Sequence, residues 1–209
     1  MDGRRLPQQL TLTAMQRLFL LFLLLLVARS NSQAQNKYMT KTGRISFFSA
    51  TPVEDIEAQN QQVAAVFDFS TNQLAFTLPI KGFVFKRTLM QEHFNENYLE
   101  SDKFPKSTFT GRLLDFDAAT LATAGPHNTQ VAGELTMHGV TRHIQVPATL
   151  EIKNGQLLAA ATFTVASADY NIEIPLLVRS NIAKEVSVRI ALACVPAPSI
   201  VGATARPTN

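Results

Sequence analysis

The sequence predicts an all-β protein with about eight antiparallel strands and one short helix. Apolar residues recur at every second position over much of the chain, which is typical of strands that bury one face. The connections between these runs are too short for the crossover helices that parallel strands require. Only the stretch "EHFNENYLESDKFP", residues 92–105, shows helical spacing instead. Eight such strands either close into a barrel or stack as a sandwich, and the pattern alone does not choose between the two.

Residues 1–34 have the features of a secretory signal peptide. An unbroken apolar run from Leu18 to Ala28 follows three arginines, and the small residues before residue 35 suit cleavage after Ala34. The run has 11 residues, fewer than the roughly 20 that a membrane-spanning helix needs. A permanent membrane anchor is the less favoured alternative, and translation from either Met1 or Met15 stays open.

Removing this leader defines the predicted domain organisation. The remaining chain of about 175 residues suits a single hydrophobic core, with the barrel over 35–196 and a loose, proline-containing tail over 197–209. The predicted location is periplasmic or otherwise secreted. Cys194 is the only cysteine, so no intramolecular disulfide forms, and its alternation with Leu192 indicates a buried, unreactive thiol.

The net charge excludes a nucleic-acid-binding class once the leader is gone. The full chain has 19 Lys and Arg against 16 Asp and Glu, and residues 1–34 contain four and one of these. The mature chain therefore has 19 − 4 = 15 basic and 16 − 1 = 15 acidic residues and is neutral. A neutral chain gives no support for the basic surface that nucleic acids require.

The strands can be assigned in order from their alternation and turns. The first strand is "GRISFFSA". Turns at "STN" (70–72), near Gly139, and at Asn154–Gly155 then each join one strand to the next, antiparallel strand. Asn-Gly between alternating runs is a strong hairpin signal because both residues tolerate positive φ. The inward residues of these runs are, in order, Val63, Ala65, Phe67, Phe69, Leu74, Phe76, Leu78, Ile80, Val131, Leu135, Met137, Ile144, Val146, Ala148, Leu150, Ile152, Leu157, Ala159, Ala161, Phe163 and Val165. "STFTGRLLDF" and "EVSVRIALAC" complete the set.

The helix is predicted to begin near Leu89, with Thr88 and Gln91 as a capping box. Met90, Phe94 and Tyr98 follow at four-residue spacing, so we expect this face, with Leu89 and His93 beside it, to be buried. Glu92, Glu96 and Glu100 form a second, solvated stripe. A short amphipathic helix between strands suits a position across one end of a barrel, either as a plug that completes the core or as a gate over a ligand cavity.

The four histidines of the chain give little support for metal binding or catalysis. His138 and His143 flank one turn but lack acidic or cysteine partners at metal-ligand spacing, so we expect a solvated hairpin end and no metal. His93 adjoins Glu92, but helical neighbours diverge and no nucleophile is nearby, so His93 is a candidate contact for a ligand head group.

The chain resembles the YceI-like family of exported proteins. The resemblance rests on "FVFKRTLMQEHFNENYLESDKFPKSTFTG", "VAGELTMHGVTRHIQVPATL" and "FTVASADYNIEIP", and extends from about Tyr38 to Val195. It implies an eight-stranded, lipocalin-like antiparallel barrel that holds a polyisoprenoid or an isoprenoid-quinone-like lipid. The opening segment "GRISFFSATPVEDIEAQN" lacks the family's two histidines, so head-group contacts made there in relatives are not carried over.

The implied function is lipid binding for transport or storage, without catalysis or cofactor. The small inward residues Ala65, Ala148, Ala159 and Ala161 would leave room for a slim ligand. The predicted ligand-binding residues are Phe67, Phe76, Phe83, Phe85, Met90, Phe94, Tyr98, Phe109, Phe163 and Tyr170, with His93 at the head group. Expected partners are an isoprenoid lipid and a transient membrane surface, and a homodimer stays open. The alternatives are an enzyme that uses His93 or His138 and a structural module with a filled core.

Overall fold

The computed structural model describes residues 36–50, 55–174 and 183–198. The predicted signal peptide, 1–34, lies outside the described residues, as does the predicted tail from residue 199. The strands are β1 (Lys37–Ser49), β2 (Ile56–Asp68), β3 (Gln73–Pro79), β4 (Val84–Phe85), β5 (Lys106–Leu114), β6 (His127–Met137), β7 (Val140–Lys153), β8 (Gln156–Ala166) and β9 (Glu185–Pro196). One α-helix, α1 (Thr88–His93), continues as a π-helical segment, Phe94–Tyr98. Short 3₁₀ turns cover Ile80–Gly82, Ala118–Ala122 and Ser167–Tyr170.

The sheet closes on itself, which decides between the barrel and the sandwich. Going round the barrel, the strand order is β1-β2-β3-β5-β6-β7-β8-β9, and β1 pairs with both β2 and β9, antiparallel in each case. One further strand, β4, lies outside this ring of eight; it has two residues and pairs with the start of β2. The predicted eight-stranded antiparallel barrel with one short helix is confirmed.

The tight turns lie where the sequence predicted them. Asn154 and Gly155 have φ of +52° and +76° and join β7 to β8 at the pair Lys153 and Gln156. His138 and Gly139 have φ of +51° and +74° and join β6 to β7. Consecutive positive φ values match the twist of a two-residue hairpin, so each of these turns sets the register of its two strands.

The two ends of the barrel differ in how they are filled. The end formed by the start of β1 and the end of β9, called the base here, is packed with apolar side chains. Tyr38, Phe67 and Phe116 each lie about 6 Å from the ring of Phe69, at centroid distances of 5.9, 6.2 and 6.1 Å. Leu157 and Cys194, which are paired across β8 and β9, are fully buried. Side chains close the base.

The opposite end is covered by residues 88–104, called the lid here. The segment before the lid is fixed to β2 by Asn60, which is fully buried and donates from Nδ2 to the Pro79 carbonyl at 2.8 Å. A Cβ on Gly82 would lie 2.7 Å from the same Nδ2, so this turn packs directly on the asparagine. The Ile80 amide also donates to the Pro105 carbonyl at 2.9 Å, which ties the segments that precede and follow the lid together.

The helix begins within one residue of its predicted start, but the predicted capping box was wrong. Thr88 is the first helical residue and no side chain caps the helix. Gln91 Oε1 instead accepts a hydrogen bond from the Phe85 amide at 3.2 Å, so its side chain joins the helix to β4. Leu89 is 56% exposed and His93 is also exposed, so neither belongs to the buried face as predicted. Met90, Phe94 and Tyr98 are half-buried against the core, as predicted.

No helix in the described part of the chain combines the length and the hydrophobicity needed to cross a bilayer.

Candidate ligand-binding cavity

A cavity of about 180 Å³ lies inside the half of the barrel nearest the lid. Three groups of described residues line it. From β1 to the turn after β3 they are Ile45, Phe47, Ser49, Ile56, Phe76, Leu78 and Ile80; from β4 and the lid, with the residue before β4, they are Phe83, Phe85, Met90, Phe94, Tyr98 and Leu99; from the remaining strands and turns they are Ser107, Leu135, Met137, Phe163, Val165, Ser167, Ile172, Ile174, Val186, Val188 and Ile190. Such a wall favours an apolar ligand.

The cavity ends at a floor of stacked aromatic rings. Phe76 on β3 and Phe109 on β5 are paired across the two strands, with centroids 5.0 Å apart and planes within 15°. A Cβ at Gly111 would lie 2.6 Å from Phe109 Cζ, and one at Gly133 2.9 Å from it. The two glycines therefore leave the space in which the Phe109 ring lies, stacked on Phe76 and not itself a lining residue of the cavity.

The roof is an aromatic cluster centred on Phe94 of the lid. Its ring lies 5.6 Å from Phe47, 5.4 Å from Phe83 and 4.9 Å from Phe85, measured between centroids. The Phe47 contact is stacked and the other two are tilted or edge-on, which are favourable geometries for aromatic pairs. The lid thus covers the cavity with the Phe94 side chain, which contacts β1 and the segment around β4.

Seven of the ten predicted ligand-binding residues line the cavity, namely Phe76, Phe83, Phe85, Met90, Phe94, Tyr98 and Phe163. The other three do not. Phe67 belongs to the aromatic packing of the base, and Phe109, the second ring of the floor pair, does not line the cavity. Tyr170 is 3% exposed and ends the 3₁₀ turn after β8.

Sequence reasoning missed most of the aliphatic wall and Phe47. Ile45, Phe47 and Ser49 alternate within "GRISFFSA", and this period-two pattern could have identified them as inward-facing residues. The same pattern extends through the lining residues of β9, which are Val186, Val188 and Ile190.

The space of the cavity does not come from the small residues that the sequence suggested. None of the four predicted small inward residues, Ala65, Ala148, Ala159 and Ala161, lines the cavity.

The polar groups on the wall are few and neutral. Among the described lining residues only Ser49, Tyr98, Ser107 and Ser167 have polar side chains, and none is acidic, basic or a histidine. The Ser107 hydroxyl donates to the Thr136 carbonyl at 2.9 Å. Burial raises the pKa of Tyr98, so its phenol stays protonated across the neutral range. The arrangement suits an uncharged ligand in its interior.

His138 occupies an environment that the sequence did not predict. We expected a solvated hairpin end, but the His138 side chain is 9% exposed. Its Nδ1 donates to the Tyr170 carbonyl at 3.0 Å, and its Nε2 lies 2.8 Å from Glu100 Oε2. The Phe104 ring packs edge-on against the imidazole, with centroids 4.6 Å apart. Glu100, predicted to be solvated, therefore connects the lid to the β6–β7 hairpin.

The remaining histidines and the cysteine lie apart from the cavity wall. His93 is exposed on α1, and His143 is exposed and contacts Glu134 Oε1 at 2.9 Å. The described residues contain no group of three or more His, Cys, Asp or Glu side chains placed to hold a metal ion. Cys194 is fully buried in the base, where burial raises the pKa of its thiol to about 11.

A closed antiparallel eight-stranded barrel with a lidded apolar cavity defines a lipocalin-like barrel protein. The protein-family model of the YceI-like domain matches residues 27–194 of this chain. The chain therefore belongs to the YceI-like family. A search of curated proteins found no match.

Three solved structures illustrate the shared fold. A polyisoprenoid-binding domain from Saccharophagus degradans, described as implicated in plant cell wall breakdown, is 14% identical with a TM-score of 0.67, covering 78% of this chain and 99% of its own. BcnA of Burkholderia cenocepacia is 17% identical with a TM-score of 0.61, covering 72% and 95%. The YceI protein of Campylobacter jejuni is 14% identical with a TM-score of 0.52, covering 69% and 88%. At these identities the likeness concerns the fold.

Proposed function

We propose that this protein is an exported lipid-binding protein that holds the chain of a polyisoprenoid or an isoprenoid-quinone-like amphiphile inside its barrel, for transport or storage. The observation that carries the proposal is the apolar cavity between the floor at Phe76 and the roof at Phe94. Membership of the YceI-like family and the fold shared with a polyisoprenoid-binding domain support it. No enzymatic step is part of the proposal.

The size of the cavity indicates how such a ligand is accommodated. A volume of about 180 Å³ is of the same order as the apolar cavity of about 150 Å³ that binds benzene in an engineered protein. A chain of tens of carbons needs more space than this. Binding therefore requires the lid to move outward, and the half-buried side chains of Met90 and Phe94 are the ones that separate from the wall.

The energetics favour reversible carriage. Removing one methylene from water contributes about 0.8 kcal/mol, and tens of them would exceed the limit of roughly 20 kcal/mol seen for noncovalent complexes. Water is the wrong reference state, because such a lipid begins in a bilayer that is already apolar. The net free energy of transfer from bilayer to cavity is then small, which allows uptake and release.

Transient membrane contact is part of the same proposal. Val84 and Leu89, on β4 and α1, are 66% and 56% exposed, and both adjoin the cavity's roof. Lys86 lies between them in the sequence, 3.8 Å from Glu57. Apolar side chains beside a lysine are suited to the polar boundary of a bilayer. Contact at this face would bring the lid to the lipid.

Native mass spectrometry of the mature protein, purified without detergent from an exporting host, tests the proposal. A stoichiometric adduct that organic extraction identifies as an isoprenoid is the expected result. A bare mass that persists after incubation with polyprenols and isoprenoid quinones would overturn lipid binding and favour a structural module. Vesicle-to-vesicle transfer of a labelled isoprenoid that is no faster with the protein present would exclude transport.

A further inference from the structure

Ser49 is the one polar side chain among the described wall residues that is buried without a hydrogen-bond partner. It is the last residue of β1 and pairs with Ile56, the first residue of β2. The residue is 2% exposed, and its Oγ has no partner among the described residues. Ile45 and Phe47, which precede it on the same face of the strand, also line the cavity. The hydroxyl therefore lies within an apolar wall.

Most of the other buried polar residues have a hydrogen-bond partner. The described residues that are buried and polar are Thr40, Ser49, Asn60, Ser101 and Ser107. Thr40, Asn60 and Ser107 each form a hydrogen bond with the backbone. Ser101 Oγ also lacks a partner among the described residues, but Ser101 is not on the cavity wall. A buried hydroxyl without a partner destabilises a fold, so an oxygen group of a ligand beside Ser49 would supply a hydrogen bond that the described residues do not.

We infer that Ser49 binds an uncharged oxygen group of the lipid, a hydroxyl or a carbonyl, and so selects neutral isoprenoids over isoprenoid phosphates. This inference rests on the proposed function. A serine hydroxyl donates to either a hydroxyl or a carbonyl oxygen. No described side chain on the wall is basic, so a phosphate drawn into the cavity would be a buried, unpaired charge, which is strongly unfavourable.

The position of Ser49 also assigns the orientation of the ligand. Ser49 ends β1 at the lid end of the barrel, whereas Phe76 and Phe109 form the floor. The oxygen group therefore lies at the lid end, and the chain extends from it towards the floor. This orientation places the last group to enter the barrel beside the unsatisfied hydroxyl.

The test compares three ligands with the same isoprenoid chain: the alcohol, the hydrocarbon that lacks the hydroxyl, and the alcohol's phosphate. Dissociation constants are measured for the wild-type protein and for Ser49→Ala. We expect Ser49→Ala to weaken binding of the alcohol about five-fold, which is the usual contribution of one hydrogen bond, and to leave hydrocarbon binding unchanged. The wild-type protein should bind the alcohol more tightly than the phosphate.

Ser101→Ala is the matched control, because it removes an unbonded buried serine hydroxyl from outside the cavity wall. It should leave the preference for alcohol over hydrocarbon intact. Ser49→Thr and Ser49→Val form a second pair that differs in the hydroxyl at nearly constant shape, and only the valine variant should lose the preference. The same ligands with a quinone carbonyl in place of the hydroxyl distinguish the two oxygen groups.

Two results would overturn the inference while lipid binding survives. One is an equal effect of Ser49→Ala on the alcohol and the hydrocarbon, and the other is tighter binding of the phosphate than of the alcohol. Failure of the wild-type protein to bind any of the chains would instead overturn the proposed function, and this inference with it.

Discussion

Glu100 Oε2 lies 2.8 Å from His138 Nε2, and this contact joins the end of the lid to the β6–β7 hairpin. The two residues are 38 positions apart in the sequence. The His138 side chain is itself held in place by its hydrogen bond to the Tyr170 carbonyl. An outward movement of the lid therefore has to break the contact between Glu100 and His138. The lid's polar contacts therefore include this link to the hairpin, besides the Gln91–Phe85 hydrogen bond and the Lys81–Asp102 ion pair at 2.6 Å.

Removing this link should loosen the lid. In Glu100→Ala we expect lid amides to exchange with solvent about 2- to 12-fold faster, the equivalent of about 0.5–1.5 kcal/mol for one hydrogen bond. The barrel strands should be unaffected, because they do not depend on this contact. Hydrogen exchange of residues 88–104 measures the effect. Glu96→Ala is the control, since Glu96 is an exposed glutamate of the same segment, and equal exchange in both variants would contradict the role of the contact.

Filling the cavity should abolish lipid binding without unfolding the protein. Val188 lines the cavity and is only partly buried, so Val188→Phe places an aromatic ring in existing space. We expect loss of lipid binding with a change in unfolding free energy below about 1.5 kcal/mol, because a void is filled and few side chains must move. Lipid titration and urea unfolding measure the two effects. Val66→Phe, on the exposed outer surface of β2, should bind lipid normally, and full binding by both variants would place the ligand elsewhere.

The two turn glycines form a pair that isolates one packing contact. Gly139 and Gly155 have nearly equal φ, +74° and +76°, but a Cβ at Gly139 would lie 2.6 Å from Phe104 Cε1 and one at Gly155 meets nothing within 4 Å. Each alanine variant should lose about 1–2 kcal/mol of stability from the left-handed backbone. Gly139→Ala should lose roughly 1 kcal/mol more, because Phe104 must move against His138. Urea unfolding gives both values, and equal losses would show that Phe104 shifts freely.

The Cys194 thiol should report unfolding of the base. Burial raises its pKa from 9.0 to about 11, so at pH values near 8 the folded protein should react with a thiol reagent far more slowly than the urea-unfolded chain. The unfolded chain loses the thiol proton near pH 9 and the folded chain does not. Stability should therefore decrease as pH rises from about 9 to 11, with the full contribution present below pH 9.

A cysteine at the exposed position 153, in Lys153→Cys with Cys194→Ala, is the matched control. It should be labelled rapidly in the folded state. Rapid labelling of Cys194 in the folded protein would show that the base opens readily, contrary to the packing of its aromatic residues.

The strands and two turns could be predicted from local sequence because alternation and positive-φ residues act over a few positions. The pairing of β1 with β9, which closes the barrel, joins residues at opposite ends of the domain, such as Ile45 and Ile190, and no local pattern determines it. The burial of His138 likewise depends on Glu100 and Phe104 from a distant segment. The predicted capping box was wrong because the Gln91 side chain accepts a hydrogen bond from the Phe85 amide of a neighbouring strand instead.

For the cavity residues, too, the local sequence predicts one property and leaves another undetermined. Alternation identifies which side chains point inward, but not their height along the barrel axis. Phe67 and Phe76 both point inward, yet Phe67 packs into the base and Phe76 forms the floor of the cavity. Height depends on strand stagger, and the space available depends on where the lid rests. Neither is encoded in a single segment.

Among the described residues the base is filled by side chains, so the cavity is blind at that end and the route in and out lies at the lid end. A molecule bound there must leave by the end at which it arrived, and a second molecule cannot displace it from behind. Exchange of one cargo for another should therefore follow a strictly sequential scheme, in which the rate of release does not increase with the concentration of the competitor. The orientation acquired at loading is also retained until unloading, so donor and acceptor must face the same end of the barrel.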